Sequence, residues 1–470
     1  MKYIYFFLFF FCIKFTLAQK EVISIPSYEN VNETISIVDS TSQRVAVINF
    51  KNKLISAYLL DKDFNVLESI VTKPLPNKLK SVIAHQFQNK KLSLFMNTSS
   101  NRKYATAVFD FETGNCTTHE IDFKLKKEIF FTTFSRDDKI FIVSVSKKGS
   151  QLNIYEFYKN LNEPKKTEIK IPENTFLDRF GDSVDLKDVL SDSYKNGFMV
   201  SPVTIQKNLP ATIEKTRRPL KIYLTEKGFD VTVDTWLKST FLLNVSLEDM
   251  TVDVSEFKYP KPDGFIARVK ANSFLFDDNL FQIIMGSDEM LFSVFSSQTK
   301  ELRKEILLKK GDEIDFRNTP IVQNGGAFES FRYLENTKQF FRKSLDADIG
   351  LSVIKKNEIY EITFGSVKEI EDPVVLYFVV GGVVGGTVSL LVRDLLDYRL
   401  TKSVEFRSLF SNKIEHLEGN VSPNLFDKIG KFTKGIKLKS ETLFQFNGSY
   451  YYGHYNLDRN TYLIYKIIKD

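Results

Sequence analysis

Cysteine is nearly absent. Of the two in 470 residues, Cys12 lies in an apolar N-terminal stretch and Cys116 stands alone in the rest of the chain. A lone cysteine excludes an intramolecular disulfide, so the fold must rest on its core. As a nucleophile Cys116 would need a positioned histidine. Only His119 is near, and no known pattern surrounds the pair. Histidine is scarce as well, with His85, His119, His416 and His454 the full set. No two are four residues apart and neither HExxH nor CxxC occurs, so no metal site is expected. A G-x-S-x-G elbow is missing. A surplus of one charge is missing too: 65 basic and 59 acidic residues are interspersed and leave +6. That excludes the dense basic footprint of a nucleic-acid binder. No catalytic residue, metal ligand or cofactor contact is therefore expected from local motifs.

Aromatic residues are plentiful, with 43 Phe and 20 Tyr against the single Trp236. Many fall in short alternating runs. Ala46 to Phe50 leads to Leu54 to Leu60, a turn at Asp61-Lys62-Asp63, then Val66 to Ile70. The unit is written again from Lys91 through Tyr104 to Phe111, Glu112-Thr113-Gly114-Asn115 and Thr118 to Ile121. A third copy runs from Lys139 through Gln151 to Phe157 and on to Ile171. Strand-length runs of period two, bounded by Asp, Asn, Gly and Lys turns, recur about every 45 to 50 residues. Several strands per unit at that period predict an all-β fold, a β-propeller of about six to eight four-stranded blades. Similar hairpins are expected at 220–232, 241–254, 274–295, 351–367 and 442–468. Two regions break the pattern. Asp178, Asp182, Asp185, Asp188 and Asp192 predict a solvated helix face over 176–196, since their spacing does not match a calcium loop. The proline-bearing 202–219 stretch predicts a surface loop. Phe130-Phe131 and Tyr450-Tyr451-Tyr452 have the alternation of core and edge strand positions rather than of a groove.

Residues 373–392 carry no charge. Asp372 before Pro373 is a helix start, and Arg393 and Arg399 suit the far end of its dipole, which predicts an apolar helical insert over 373–398. The half around Val379, Val380, Gly381, Gly382, Val383, Val384, Gly385 and Gly386 is apolar all round. In water it would be a poor helix, so it needs burial in lipid, in the fold or in an oligomer contact. Its two Gly-x-x-x-Gly pairs clear one stripe for close approach, and its length suffices to cross a hydrocarbon core. These residues are the candidate membrane or partner contact. A phosphate loop is excluded because Thr387 stands where its lysine belongs. A single full crossing is disfavoured, since it would part the last strands from the ring; an insert projecting between two blades is expected instead.

The N-terminus has the form of a secretory signal: Lys2, an apolar run from Tyr3 to Cys12, and Thr16-Leu17-Ala18 before Gln19. Residues 1–18 are expected to be removed, leaving 19–470 as one propeller-like domain with 373–398 inside it. Taken with units such as Asp277-Asp278-Asn279-Leu280-Phe281-Gln282, the chain resembles exported, propeller-like proteins of Gram-negative bacteria that have no assigned activity. That resemblance carries over no functional residue. It implies an exported binding or scaffold protein of the periplasm, outer membrane or cell surface, attached through the Gly/Val helix, with a protein or glycan ligand. Two alternatives stand: a secreted propeller hydrolase of carbohydrate or peptide, with carboxylates clustered at the central mouth, and an oligomerisation module paired through the glycine stripe.

Overall fold

Among the described residues, seven sheets follow one another along the chain, five of four strands and two of five, antiparallel but for one short edge pairing. The computed structural model describes residues 19–468 apart from 27–30, 52–53, 73–80, 89, 99–100, 137–138, 159–162, 179, 192–198, 207–208, 237, 261–268, 326–330, 370–400 and 437. The first three sheets are simple meanders. In the first, Glu33–Asp39, Arg44–Lys51, Leu54–Leu60 and Val66–Val71 pair in sequence order. Turn chemistry sets each reversal. Asp61 Oδ1, for example, accepts from the Asp63 and Asn65 amides at 2.9 and 2.8 Å, the local capping that short polar residues provide.

First strands of neighbouring sheets pack together. Glu33–Asp39 meets Leu438–Phe446, Ser81–Gln88 meets Glu128–Arg136, and Lys270–Phe276 meets Asp348–Lys356. Last strands such as Val66–Val71, Asn115–Ile121 and Leu302–Lys309 lie largely in solvent. Inner strands touching and outer strands exposed is the arrangement of a propeller, here with seven blades. The core lies between blade faces. Phe281 and Phe292 of the fifth blade join Phe364, Phe406 and Phe410 of the sixth in one buried cluster. Phe292 and Phe364 meet edge-on at 5.0 Å, a favoured aromatic geometry.

Two blades borrow strands. In the seventh, Leu438–Phe446, Ser449–Asn456 and Thr461–Ile467 are completed by Gln19–Pro26, which pairs antiparallel with Thr461–Ile467. In the sixth, Asp348–Lys356, Ile359–Glu369 and Thr401–Phe410 are completed by the preceding hairpin Ile321–Gly325 and Arg332–Leu334. The expected hairpins at 220–232, 241–254, 274–295, 351–367 and 442–468 are all present.

Two expectations fail. Among its described residues, the acidic stretch after residue 176 holds only the single-turn helix Leu186–Val189. Before it, Asp178 Oδ1 accepts from the Phe180 and Asp182 amides at 2.7 and 3.0 Å, and Gly181 takes φ +89°. Side chains that satisfy their own backbone favour turns over helix. The 202–219 stretch is not a surface loop: Thr212 and the following Ile213, Glu214, Lys215, Thr216 and Arg217 are buried. The expected helical insert and its candidate contact residues, Val379 to Gly386, lie outside the described residues. Their flanks are described: Glu369 and Thr401 pair directly across adjacent strands of the sixth blade. The 370–400 segment therefore leaves and re-enters within one blade, not between two. Among the described residues no helix is long and apolar enough to cross a membrane.

Candidate functional site

The segment around the buried residues 212–217 organises a set of charged groups. Val203–Ile205 pairs in parallel with Leu220–Leu224, and the chain between them makes an excursion out of the fourth blade. The Arg217 carbonyl accepts from Asn272 Nδ2 of the fifth blade at 3.2 Å. In the sixth blade, Ser352 Oγ donates to the Ala211 carbonyl at 2.6 Å. Leu209 packs against Leu443 and Tyr452 of the seventh blade and Ile429 of the helix Leu425–Thr433. The segment is thus a wedge touching the fourth to seventh blades.

Glycines make its bed. A Cβ on Gly350 would sit 3.0 Å from the Arg217 amide nitrogen, and one on Gly365 would sit 2.9 Å from the Val404 carbonyl and 3.2 Å from Ile213 Cγ1. Arg217 pins the end of the wedge by donating to Asp348 Oδ2 at 2.7 Å and to Glu369. Only a glycine-floored sheet lets the short helix Ile213–Thr216 lie this close.

Odd-numbered residues of Thr401–Phe410 face the wedge, as the period of two requires. Thr401 Oγ1 reaches Glu214 Oε1 at 3.4 Å. Beyond it, Arg407 grips Asp427 with two bonds, at 2.7 and 2.9 Å, a fork-to-carboxylate pairing of the strong kind. Glu361 and Glu405 lie 3.8 and 3.7 Å from the same guanidinium. Asp427 also starts the helix Leu425–Thr433. Its carboxylate accepts from the Asn424 amide at 2.8 Å while Asn424 Oδ1 accepts from the Asp427 amide at 2.9 Å, which together make a capping box.

Burial and neighbouring carboxylates raise the proton affinity of Glu214 and Glu405. Burial, and then the Glu405 charge, push Glu214 up to about 7. Burial also pushes Glu405 up, with Arg407 opposing and Asp427 and Glu361 reinforcing. Burial works against the Arg407 charge, but the bonds to Asp427 and the nearby carboxylates outweigh it and hold the guanidinium above its ordinary range. Two carboxylates with raised proton affinity form the kind of pair used in general acid–base chemistry. Space decides otherwise. The cavity lined by Thr212, Glu214, Thr363, Glu405, Arg407 and Asn424 holds about 20 Å³. That admits about one water, whereas a pocket for a small organic ligand needs at least about 300 Å³. The cluster's chemistry is to lock wedge, sheet and capped helix together.

The expected carboxylates at the central mouth are dispersed. Of those at the beginnings of inner strands, Asp348 is held by Arg217 and by Lys270 at 3.7 Å. Glu128 accepts from Tyr155 Oη at 2.8 Å and lies 3.1 Å from Lys166 Nζ. Glu33 is pushed up to about 7 by burial.

A second buried network joins the fourth and fifth blades. Lys221 and Asp234, both fully buried, pair at 3.1 Å. Asp234 also accepts from Thr240 Oγ1 at 2.7 Å, Tyr259 Oη at 2.8 Å, and the Ser273 amide and hydroxyl at 2.9 Å each. Every lone pair has a donor, which is what a buried charge requires. It is closed to solvent and structural.

The other residues singled out in the sequence find bland places. Phe131, Tyr451 and Tyr452 are in the core, and Phe130 packs against it. Burial pushes the Cys116 thiol up to about 11, the opposite of an activated nucleophile. No group of His, Cys, Asp or Glu suited to a metal ion occurs among the described residues. The buried wedge was missed because Glu214, Lys215, Thr216 and Arg217 read as solvent-exposed polar chain. The prolines at Pro210 and Pro219 that bracket them were the available signal of an ordered excursion.

No family model and no curated protein matches this chain. Solved structures similar to it include an ACO/RPE65 chimera at 9% identity and TM-score 0.29, covering 59% of this chain and 61% of that one. The Dos1 propeller is similar at 10% identity and TM-score 0.30, covering 91% of this chain and 76% of that one. A prolyl endopeptidase is similar at 9% identity and TM-score 0.33, covering 94% of this chain and 51% of that one. This chain spans less than two thirds of the first and third of these proteins. The blade assignment rests on the strand pairings, not on these scores.

Proposed function

We propose that this protein is an exported, non-enzymatic binding propeller of the bacterial cell envelope, attached to a membrane through the Gly/Val-rich segment 373–398. Val379 to Gly386 are the contact, and the ring is free to hold a protein or glycan ligand. The observation that carries the attachment is the pairing of Glu369 with Thr401. A segment that departs and returns at neighbouring residues can enter an apolar phase while all seven blades stay on one side of it. A stretch of twenty uncharged residues rich in valine and glycine has no stable place in water. The reading as a binder rather than a hydrolase is supported by the cavity of only about 20 Å³ beside Glu214 and Glu405.

The test is fractionation of the chain from Gln19 onward, beside a variant lacking 374–392. The full chain is expected to sediment with membranes and the deletion variant to stay in the supernatant. A full chain that stays soluble and monodisperse as a monomer would overturn the attachment. One that stays soluble as a defined oligomer would transfer the glycine stripe to self-association.

A further inference from the structure

The outer edge of the sixth blade collects an excess of positive charge among its described residues. The helix Thr337–Leu345 packs on the face of Thr401–Phe410 that presents even-numbered residues, with Phe340 against Phe406 at 5.3 Å. The same face carries Lys402, which stands opposite Gly325. Two residues along the register, Gln323 pairs with both Val404 and Arg332. Helix and sheet thereby bring Arg342 and Lys343 to Arg332 and Lys402. Burial, then the charges of Arg332, Lys402 and Arg342, hold the Lys343 ammonium below its ordinary range, opposed only by Asp346.

Arg342, Lys343 and Lys402 make no ion pair among the described residues, and Arg332 donates to the neutral Gln323 Oε1 at 2.9 and 3.3 Å. The helix dipole accounts for Arg342 and Lys343 in the last turn. It does not account for Arg332 and Lys402, which come from strands and repel them. Four grouped cations with one nearby carboxylate, Asp346, call for further anions from outside.

Beside them, on the other side of the same edge strand, Phe331 and Tyr333 are 56% and 63% exposed, with their rings 5.2 Å apart. Two large exposed rings next to unpaired cations are the composition of a membrane interface, where rings sit at headgroup level and cations meet phosphate. Lys402 is also the second residue after the undescribed segment, so the patch surrounds the point where that segment rejoins the ring.

We propose that this edge, with Arg332, Arg342, Lys343 and Lys402 flanked by Phe331 and Tyr333, docks on a membrane whose lipid headgroups carry net negative phosphate. It rests on the reading of the protein as membrane-attached and adds to it a lipid preference and an orientation: the sixth blade faces the bilayer.

The experiment is co-sedimentation of the full chain from Gln19 with vesicles of pure phosphatidylcholine and vesicles containing phosphatidylglycerol. Four variants are compared: Arg332→Gln, Arg342→Gln, Lys343→Gln and Lys402→Gln combined; Phe331→Ala with Tyr333→Ala; and Arg342→Gln and Lys402→Gln singly. Near-ultraviolet circular dichroism verifies that each is folded. The chain is expected to prefer phosphatidylglycerol at least tenfold, with the preference shrinking as salt rises. Each single neutralisation is expected to cost about fivefold on anionic vesicles. The fourfold variant is expected to bind both vesicles alike, and the aromatic variant to weaken binding to both. Equal binding of the unaltered chain to both vesicles would overturn the patch and leave attachment through 373–398 standing. An anionic preference that survives the fourfold variant would also overturn it. No binding to either vesicle would remove both readings.

Discussion

Replacing Glu214 by glutamine should make the protein more stable, increasingly so as pH rises from about 4.5 through about 7. The side chain is 2% exposed and is pushed from an ordinary 4.5 to about 7, first by burial and then by Glu405. In the unfolded chain it ionises near 4.5; in the fold it keeps its proton to about 7. Below about 4.5 both states are protonated and the stabilising contribution is complete. As pH rises from there through about 7 the unfolded state gains by releasing the proton, and folding stability falls. At about 1.4 kcal/mol per pH unit, the gap corresponds to about 3 kcal/mol lost by pH 8. Glutamine keeps the shape and the bond from Thr401 and has no proton to lose. Urea unfolding of both proteins at pH 4.5 and pH 8 measures it. Wild type minus variant cancels every other titrating group, so the difference should be near zero at pH 4.5 and about 2–3 kcal/mol in favour of the variant at pH 8. The same difference at both pH values would mean that Glu214 is ionised in the fold, and the account of the acidic cluster would be wrong.

Three further outcomes follow from the packing. Asp234→Ala leaves Lys221 charged, buried and alone, and should cost about 3–5 kcal/mol by urea unfolding, while Lys221→Met with Asp234→Leu should cost less than the single change. Ile25→Ala, at a fully buried position of the strand that completes the seventh blade, should cost about 2–5 kcal/mol and increase cleavage of the first residues by a non-specific protease. Gly350→Val should force its side chain into the backbone at Arg217, expel the wedge and expose 202–219 to proteolysis, with a circular dichroism spectrum still dominated by strand.

Strands were legible in the sequence because they follow a rule confined to a few residues. Runs such as Leu280 to Ile284 and Tyr104 to Phe109 combine strand-forming side chains with Asp, Asn and Gly turns, and hairpin register follows from the turn. Seven repeats of such units were enough for the architecture. Pairings between distant residues were not legible. Nothing local distinguishes Ile321–Gly325, which with Arg332–Leu334 completes the outer side of a blade whose inner strand comes later, from an ordinary hairpin strand. The acidic cluster was invisible for the same reason: Glu361, Glu405 and Asp427 lie on separate elements and meet at Arg407, while Glu214, on a fourth, lines the same small cavity as Glu405. Asp178 misled because its spacing from Asp182 and Asp185 is helical, while its side chain binds its own turn.

The strand supplied from the front of the chain has a bearing on how the molecule is made. Tyr465 touches Glu21 across 444 residues of sequence, and no covalent clasp holds them. The earliest of these residues to leave the ribosome must wait unpaired for the latest. Six blades can assemble one after another as the polypeptide lengthens, but the circle stays open until Thr461–Ile467 has been made, so a product cut short before that strand retains a raw sheet edge at each side of the gap and is a natural substrate for quality control.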